Sequence, residues 1–224
     1  MSASMRVLDI PKRPDAKLVA ELAKMVTPHL SDSMERLYAG GPQLRPMHKG
    51  GKLAGPAYTV KTTPGDNLLV HKALDTAQKG DVIVVDAGGV CENAIIGELM
   101  MSRARQRGVA GIVIWGAIRD SAEIAAGTYP VYAAGVTHRG PYKNGPGEIN
   151  VPINMAGMAV NPGDIIVGDA DGLVAIPQEQ AERILKSAQG ILAKETAMMK
   201  EIEGGTVDRS WVDKSLKEKG YKLG

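Results

Sequence analysis

Arg119 and Asp120 are neighbours, and Glu98 stands twenty-one positions before Arg119. Two carboxylates form a hard-oxygen site that suits Mg²⁺ or Mn²⁺, ions that keep several of their waters. The guanidinium beside them offers a planar fork for a carboxylate or a keto oxygen. The chemistry these residue types allow is a metal-assisted reaction of a small 2-oxo acid. Plainer readings exist for the same residues. An acidic side chain at a helix start answers the helix dipole, and an Arg-Asp pair after a strand is often only a surface ion pair.

The three residues need elements that bring them together. Residues 82–86 (VIVVD) are a short β-branched run that reads as a buried strand. Residues 97–107 read as a helix stopped by Gly108, and residues 111–115 (GIVIW) as a second buried strand. Strand, helix and strand in this order predict a parallel pair with a right-handed crossover. In such a unit the carboxyl ends of strands and the amino ends of the following helices share one edge. Glu98 and Arg119-Asp120 therefore meet at that edge. The first helical turn also carries unpaired N–H groups, so the amides near Leu99 and Met100 are candidates to grip a substrate carboxylate.

Around this unit, residues 1–13 read as an extended arm. Leu18, Val19, Leu22 and Met25 recur at helical spacing over 15–25. Ser31 reads as the N-cap of a helix over 32–38, stopped by Gly40, Gly41 and Pro42. Residues 54–62 alternate as a strand, Gly65-Asp66 starts a turn, and 67–77 is helical. Short β-like runs at 131–133, 149–153, 158–160, 165–167 and 173–176 predict a meander, with tight turns at 161–164 and 169–172. Residues 178–202 read as a long helix. The whole is one mixed α/β domain over 1–224, with the arm at 1–13 and a C-terminal helix and tail over 178–224.

Composition excludes several function classes. The 224 residues suffice for one sizeable domain. There is no Phe, so the core rests on Val, Ile, Leu, Ala and 11 Met. Lys plus Arg number 27 against 25 Asp plus Glu, and a net charge of +2 argues against nucleic-acid binding. Cys91 is the single cysteine, so no intrachain disulfide forms and a reducing cytoplasm is the expected compartment. No run reaches the length of a membrane span, and no membrane partner is expected. GxGxxG and Walker loops are absent. The histidines, His29, His48, His71 and His138, do not stand at zinc-ligand spacing; His71 follows the turn at 65–67, which could bring it to a site, but it reads first as a packing or surface residue.

The stretch Gly97-Glu98-Leu99-Met100, followed by 111–120 (GIVIWGAIRD), resembles the class II pyruvate aldolases. These are the 4-hydroxy-4-methyl-2-oxoglutarate / 4-carboxy-4-hydroxy-2-oxoadipate aldolase family, whose relatives include the regulator of ribonuclease E activity A. The family pattern is an acidic residue, twenty intervening positions, then Arg-Asp. Glu98 departs from it in detail, because the family residue is usually Asp. The segments 61–67, 161–164 and 169–172 also resemble family segments, so the resemblance covers most of the chain.

The resemblance implies a layered α/β/β/α domain of the swivelling type, with a central β-sandwich or barrel-like core. It implies a homotrimer or homohexamer with sites between subunits. Asp120, Glu98 and Glu195 would hold a divalent metal, with Glu195 (or Glu201) coming from a neighbour's C-terminal helix. Gly97, Glu98, Leu99, Met100 and Arg119 would bind substrate, and Arg119 and Asp120 would be the catalytic pair. The implied activity is metal-dependent retro-aldol cleavage of a 4-hydroxy-2-oxo di- or tricarboxylic acid to pyruvate and a second oxo acid. The metal would act as Lewis acid, Arg119 would neutralise developing charge, and an ordered water would carry the proton. Oxaloacetate decarboxylation is the expected second activity. The alternatives are a non-catalytic regulator docked on a ribonuclease E-type partner, and a lyase or decarboxylase for another 2-oxo acid. Loop 137–148 is expected to read the distal half of the substrate.

Overall fold

Short β-branched runs between Gly-rich turns give most of the elements in a computed structural model that describes residues 5–223. In chain order these are α1 (Ala16–Leu22), α2 (Thr27–Asp32), β1 (Arg45–Pro46), β2 (Leu53–Thr62), α3 (Leu68–Thr76), β3 (Val82–Asp86) and β4 (Ala94–Ile96). Then come α4 (Glu98–Gln106), β5 (Gly111–Ile118), α5 (Ser121–Ala126), β6 (Val131–Val136), β7 (Gly147–Ile149), β8 (Ile153–Met155) and β9 (Met158–Val160). The last are β10 (Ile165–Gly168), β11 (Leu173–Ile176), α6 (Ala181–Glu203) and α7 (Ser210–Glu218), with a single 3₁₀ turn before α6.

The predicted parallel unit is present. β3 and β5 pair in parallel from Val82↔Gly111 to Asp86↔Trp115. The sheet runs β1-β6-β5-β3-β2-β10-β11, and β4 lies beside the far half of β5. β2, β3, β5 and β6 are mutually parallel, whereas β10 runs antiparallel to both its neighbours, β2 and β11. β2 belongs to both halves. Residues 53–56 pair with β10, and residues 57–61 pair with β3.

Alternation along the strands builds the layers, because successive side chains leave opposite faces. Ile83 and Val85 point to a core shared with Val70 and Leu74 of α3 and Met101 of α4. Val82 and Val84 point the other way, to a core shared with Ile153, Met158, Ile166 and Leu173. Val167, Val174 and Ile176 face a third core with Leu22 of α1, Leu30 of α2 and Ile184 of α6. Helices, sheet, sheet and helices thus follow in the α/β/β/α order expected.

Three expectations are corrected. The helix expected over 32–38 lies earlier, as α2. Thr27 is held at its start by Asp169, through its N–H (2.8 Å) and its hydroxyl (2.7 Å), and Pro28 fits the first turn. Glu35 and Arg36 have φ of 54° and 63°, which no right-handed helix permits. The strand expected over 149–153 breaks at Asn150 (φ 54°) into β7, which pairs with β2, and β8, which pairs with β9. The meander is also not simple, since β6 lies parallel to β5 and β10 returns to β2. In the arm expected over 1–13, residues 5–13 form no helix and Val7 bridges Ile149 in parallel, while 1–4 lie outside the described residues. Its backbone bonds β7 through Ile149 N–H to Arg6 O (2.8 Å).

The chain divides into two compact units, with the boundary between Ala188 and Gln189 inside α6. The second unit holds the rest of α6 and α7, and its Leu192, Met198, Met199, Ile202 and Trp211 are exposed. Among the described residues no helix is long and apolar enough to cross a membrane.

Candidate active site

The edge predicted from the sequence is where polar groups gather. β4 and β5 end side by side. Arg119 N–H bonds Ile96 O (3.0 Å), which brings the end of β5 against the peptide that starts α4. Asp120 then turns sharply, in the left-handed region at φ 54° and ψ 44°. Its carboxylate Oδ2 accepts the N–H of Glu98 (2.9 Å). The first helical turn of α4 is therefore capped by a side chain twenty-two positions away, and Gly97 supplies no side chain for that task.

Gly97 is required by this closeness. A Cβ there would strike the Asp120 carboxylate and stand 3.0 Å from Arg119 Cγ and 3.1 Å from its Nε. Its φ of −145° is open to any residue, so the constraint is space and not backbone strain.

A cleft of about 300 Å³ opens at this edge. Ile96, Gly97, Leu99, Met100, Arg119 and Asp120 line one side. Asn67 and His71, from the start of α3, and Gly140, Pro141 and Lys143 line the other. Met101 N–H bonds Gly97 O, so the N–H groups of Leu99 and Met100 precede the first intrahelical bond and have no partner within α4. Arg119 is not committed to Asp120: Nε and Oδ2 stand 3.8 Å apart, beyond hydrogen-bond range, and both side chains are partly exposed. A second hollow, also about 300 Å³, begins on the other side of the same pair, beside Ser121, Thr137 and His138.

The far wall is built by Asp66, which is buried. Its Oδ1 accepts the N–H of Leu68 (2.9 Å), and its Oδ2 accepts the N–H groups of Asn144 and Gly145. One carboxylate thereby joins the start of α3 to the loop carrying Lys143. Asn93 Nδ2 to Gly140 O (2.6 Å) and Ala94 N–H to Arg139 O (2.9 Å) fasten the other end of that loop. Burial, and then the Lys143 cation, push the His71 imidazole below its ordinary range, so it is neutral at pH 7.

Gly97, Leu99, Met100, Arg119 and Asp120, expected as site residues, share the cleft. Glu98 joins them through its backbone, and its side chain is exposed beside the lining. The second unit carries Glu195. The sequence reading passed over three lining residues, Asn67, Lys143 and His71, the last set aside as packing or surface. The signal for them was the turn at 65–67 ahead of a helix, together with the expectation that loop 137–148 faces substrate.

Among the described residues no three His, Cys, Asp or Glu side chains converge to hold a metal. The donors present suit an ion that needs few protein ligands. Asp120 commits Oδ2 to Glu98, and its partly exposed carboxylate borders an open cleft. Mg²⁺ is often held by one or two carboxylates and its own waters.

Residues 27–175 match the RraA-like family, described as Aldolase/RraA. A protein of Halalkalibacterium halodurans, provisionally named 4-hydroxy-4-methyl-2-oxoglutarate aldolase, is 37% identical over 199 residues, covering 88% of this chain and 95% of that protein. A crystal structure of an uncharacterized protein from Pseudomonas syringae superposes with a TM-score of 0.80 at 25% identity, covering 92% of this chain and 96% of the other. The structure of the RNA-processing inhibitor RraA from Thermus thermophilus superposes with a TM-score of 0.62 at 33% identity, covering 68% of this chain and 92% of the other. The chain belongs to the RraA-like, Aldolase/RraA family.

Proposed function

We propose that this protein is a divalent-metal-dependent lyase that cleaves a 4-hydroxy-2-oxo di- or tricarboxylic acid to pyruvate and a second oxo acid. One observation carries the reading. Arg119, Asp120 and the free first-turn amides of Leu99 and Met100 line a single cleft. Retro-aldol cleavage needs a polarised 2-oxo group, a base that takes the 4-hydroxyl proton, and a sink for the charge that develops as the C3–C4 bond breaks; an ordered water takes that proton and a proton returns to C3 to give pyruvate. The Leu99 and Met100 N–H groups take the carboxylate of the pyruvyl half. Arg119 spans that carboxylate and the 2-oxo oxygen and neutralises the charge growing there. Asp120 and Glu98, with Glu195 from a neighbouring subunit, would hold Mg²⁺ or Mn²⁺. Such an ion would supply Lewis-acid stabilisation of the negative charge that develops in the pyruvyl half. Lys143 on the far wall meets the distal carboxylate.

Leu192, Met198, Met199 and Ile202, exposed on the far part of α6, support assembly through that helix, and the resemblance implies a trimer or hexamer. The aldolase name of the Halalkalibacterium relative supports the aldolase reading. The likeness to the Thermus inhibitor of RNA processing supports a second reading, a regulator that docks on a protein partner.

Pyruvate release separates the two. With Mg²⁺ the protein is expected to form pyruvate from 4-hydroxy-4-methyl-2-oxoglutarate, and more slowly from oxaloacetate. Excess chelator is expected to abolish both, and Mg²⁺ or Mn²⁺ to restore them. Absence of metal-dependent pyruvate from either acid rejects the lyase reading and favours the regulator.

A further inference from the structure

Asn67 is the least explained residue of the cleft. It is 2% exposed, lines the cleft, and sits at the position that starts α3. Its Nδ2 donates to Ile95 O (2.9 Å) and approaches Met100 Sδ (3.3 Å). The Ile95 carbonyl can only accept, so the amide orientation is determined and Oδ1 faces away from it. That Oδ1 is buried and has no hydrogen-bond partner. A buried acceptor without a donor is costly, and such groups call for an explanation.

Beside Asp120, which the lyase reading gives to the metal, and the His71 ring, the polar lining presents donors and cations: the amides of Leu99 and Met100, Arg119 and Lys143. These match carboxylate and keto oxygens. None of them matches a ligand group that donates. At neutral pH a 4-hydroxy-2-oxo acid has ionised carboxylates, an oxo group that only accepts, and one donor, the 4-hydroxyl. Asn67 Oδ1 is the buried acceptor on this lining that stands without a donor, and the 4-hydroxyl is the one donor such a ligand carries.

We propose that Asn67 reads the 4-hydroxyl of the substrate, accepting its hydrogen bond on Oδ1 and thereby selecting hydroxylated oxo acids. The assignment rests on the lyase reading given above. Asn67 is a positioning residue and not a base: it holds the hydroxyl in the bound substrate and leaves proton removal to another group. Met100, unbranched and beside the amide, is the adaptable neighbour that lets the hydroxyl approach.

The test compares 4-hydroxy-4-methyl-2-oxoglutarate as substrate with 4-methyl-2-oxoglutarate, the same skeleton without the hydroxyl, as competitive inhibitor. Asn67→Ala is expected to raise KM for the hydroxylated acid about tenfold. The Ki of the deoxy acid is expected to stay within about twofold, and kcat within about threefold, because the hydrogen bond is made in the ground state. Parallel weakening of both ligands, or no change in either, overturns the assignment. Should Asn67→Ala fail to fold, the wild-type protein still decides. Its Ki for the deoxy acid is expected to exceed its KM for the substrate about tenfold, and equal values overturn the proposal. A wild-type protein that cleaves nothing with Mg²⁺ rejects the lyase reading and this assignment with it. A wild-type protein that cleaves, paired with an unaffected variant, rejects Asn67 alone.

Discussion

At the scale of single residues, Arg119 and Asp120 divide their work differently from an ion pair. Arg119 has its nearest carboxylate at 3.8 Å and is partly exposed, so it contributes little to stability. Arg119→Ala is expected to lower kcat by about 10²- to 10³-fold, as for loss of a group that stabilises developing charge. Its thermal unfolding should match the wild type, and turnover near the wild-type rate sinks the mechanism. Asp120 is both a cap and a candidate ligand. Asp120→Asn keeps an acceptor for the Glu98 N–H and tolerates the left-handed turn, so its melting temperature should hold while stimulation by Mg²⁺ disappears. Asp120→Ala loses the cap as well, worth about 1 kcal/mol, and strains a turn that Ala adopts poorly. A calorimetric comparison of the two variants, with activity against Mg²⁺ concentration, separates the structural role from the chemical one.

At the scale of elements, the junction of β4, α4 and β5 is tight because Gly97 leaves room for the Arg119-Asp120 pair. Gly97→Ala is expected to push that pair out of place. Overpacking of this kind costs about 1–3 kcal/mol. Activity should fall much further than stability, since the displaced groups are those that meet substrate. A Gly97→Ala protein with wild-type kcat would show that the pair need not stand where it does. Much of this junction was legible. β3, β9 and β11 begin and end where the hydrophobic runs do, and α4 stops at Gly108 (φ 77°) as read. β4 was not legible. Three residues carry no periodicity, and β4 is a strand only because the far half of β5 accepts it. The misplaced α2 has a similar cause. Its start is set by Asp169, 142 positions away, and local pattern holds no record of that contact.

At the scale of the whole molecule, the proposed metal shell draws on more than one subunit. Arg119→Ala and Glu195→Ala proteins should each be inactive. Unfolded together, refolded as a 1:1 mixture and assayed, they should regain about a quarter of wild-type activity, because random assembly restores some interfaces with both residues intact. Hybrid oligomers that form, as judged by mass, and stay inactive would reject a shared site.

What the sequence determined by itself was the chemistry on offer and the edge at which it gathers. Residue type and a spacing of twenty intervening positions carried Glu98, Arg119 and Asp120. The strand-helix-strand order carried the edge, because parallel crossovers have one hand and one functional end. Tertiary structure decided the rest. It gave Glu98 a backbone role as well, as the donor to Asp120. It also built the opposite wall, Asn67, His71 and Lys143, from a turn and a loop more than seventy positions apart that Asp66 ties together. A buried carboxylate that joins distant backbone amides leaves no local pattern, so that wall could be seen only in the folded chain.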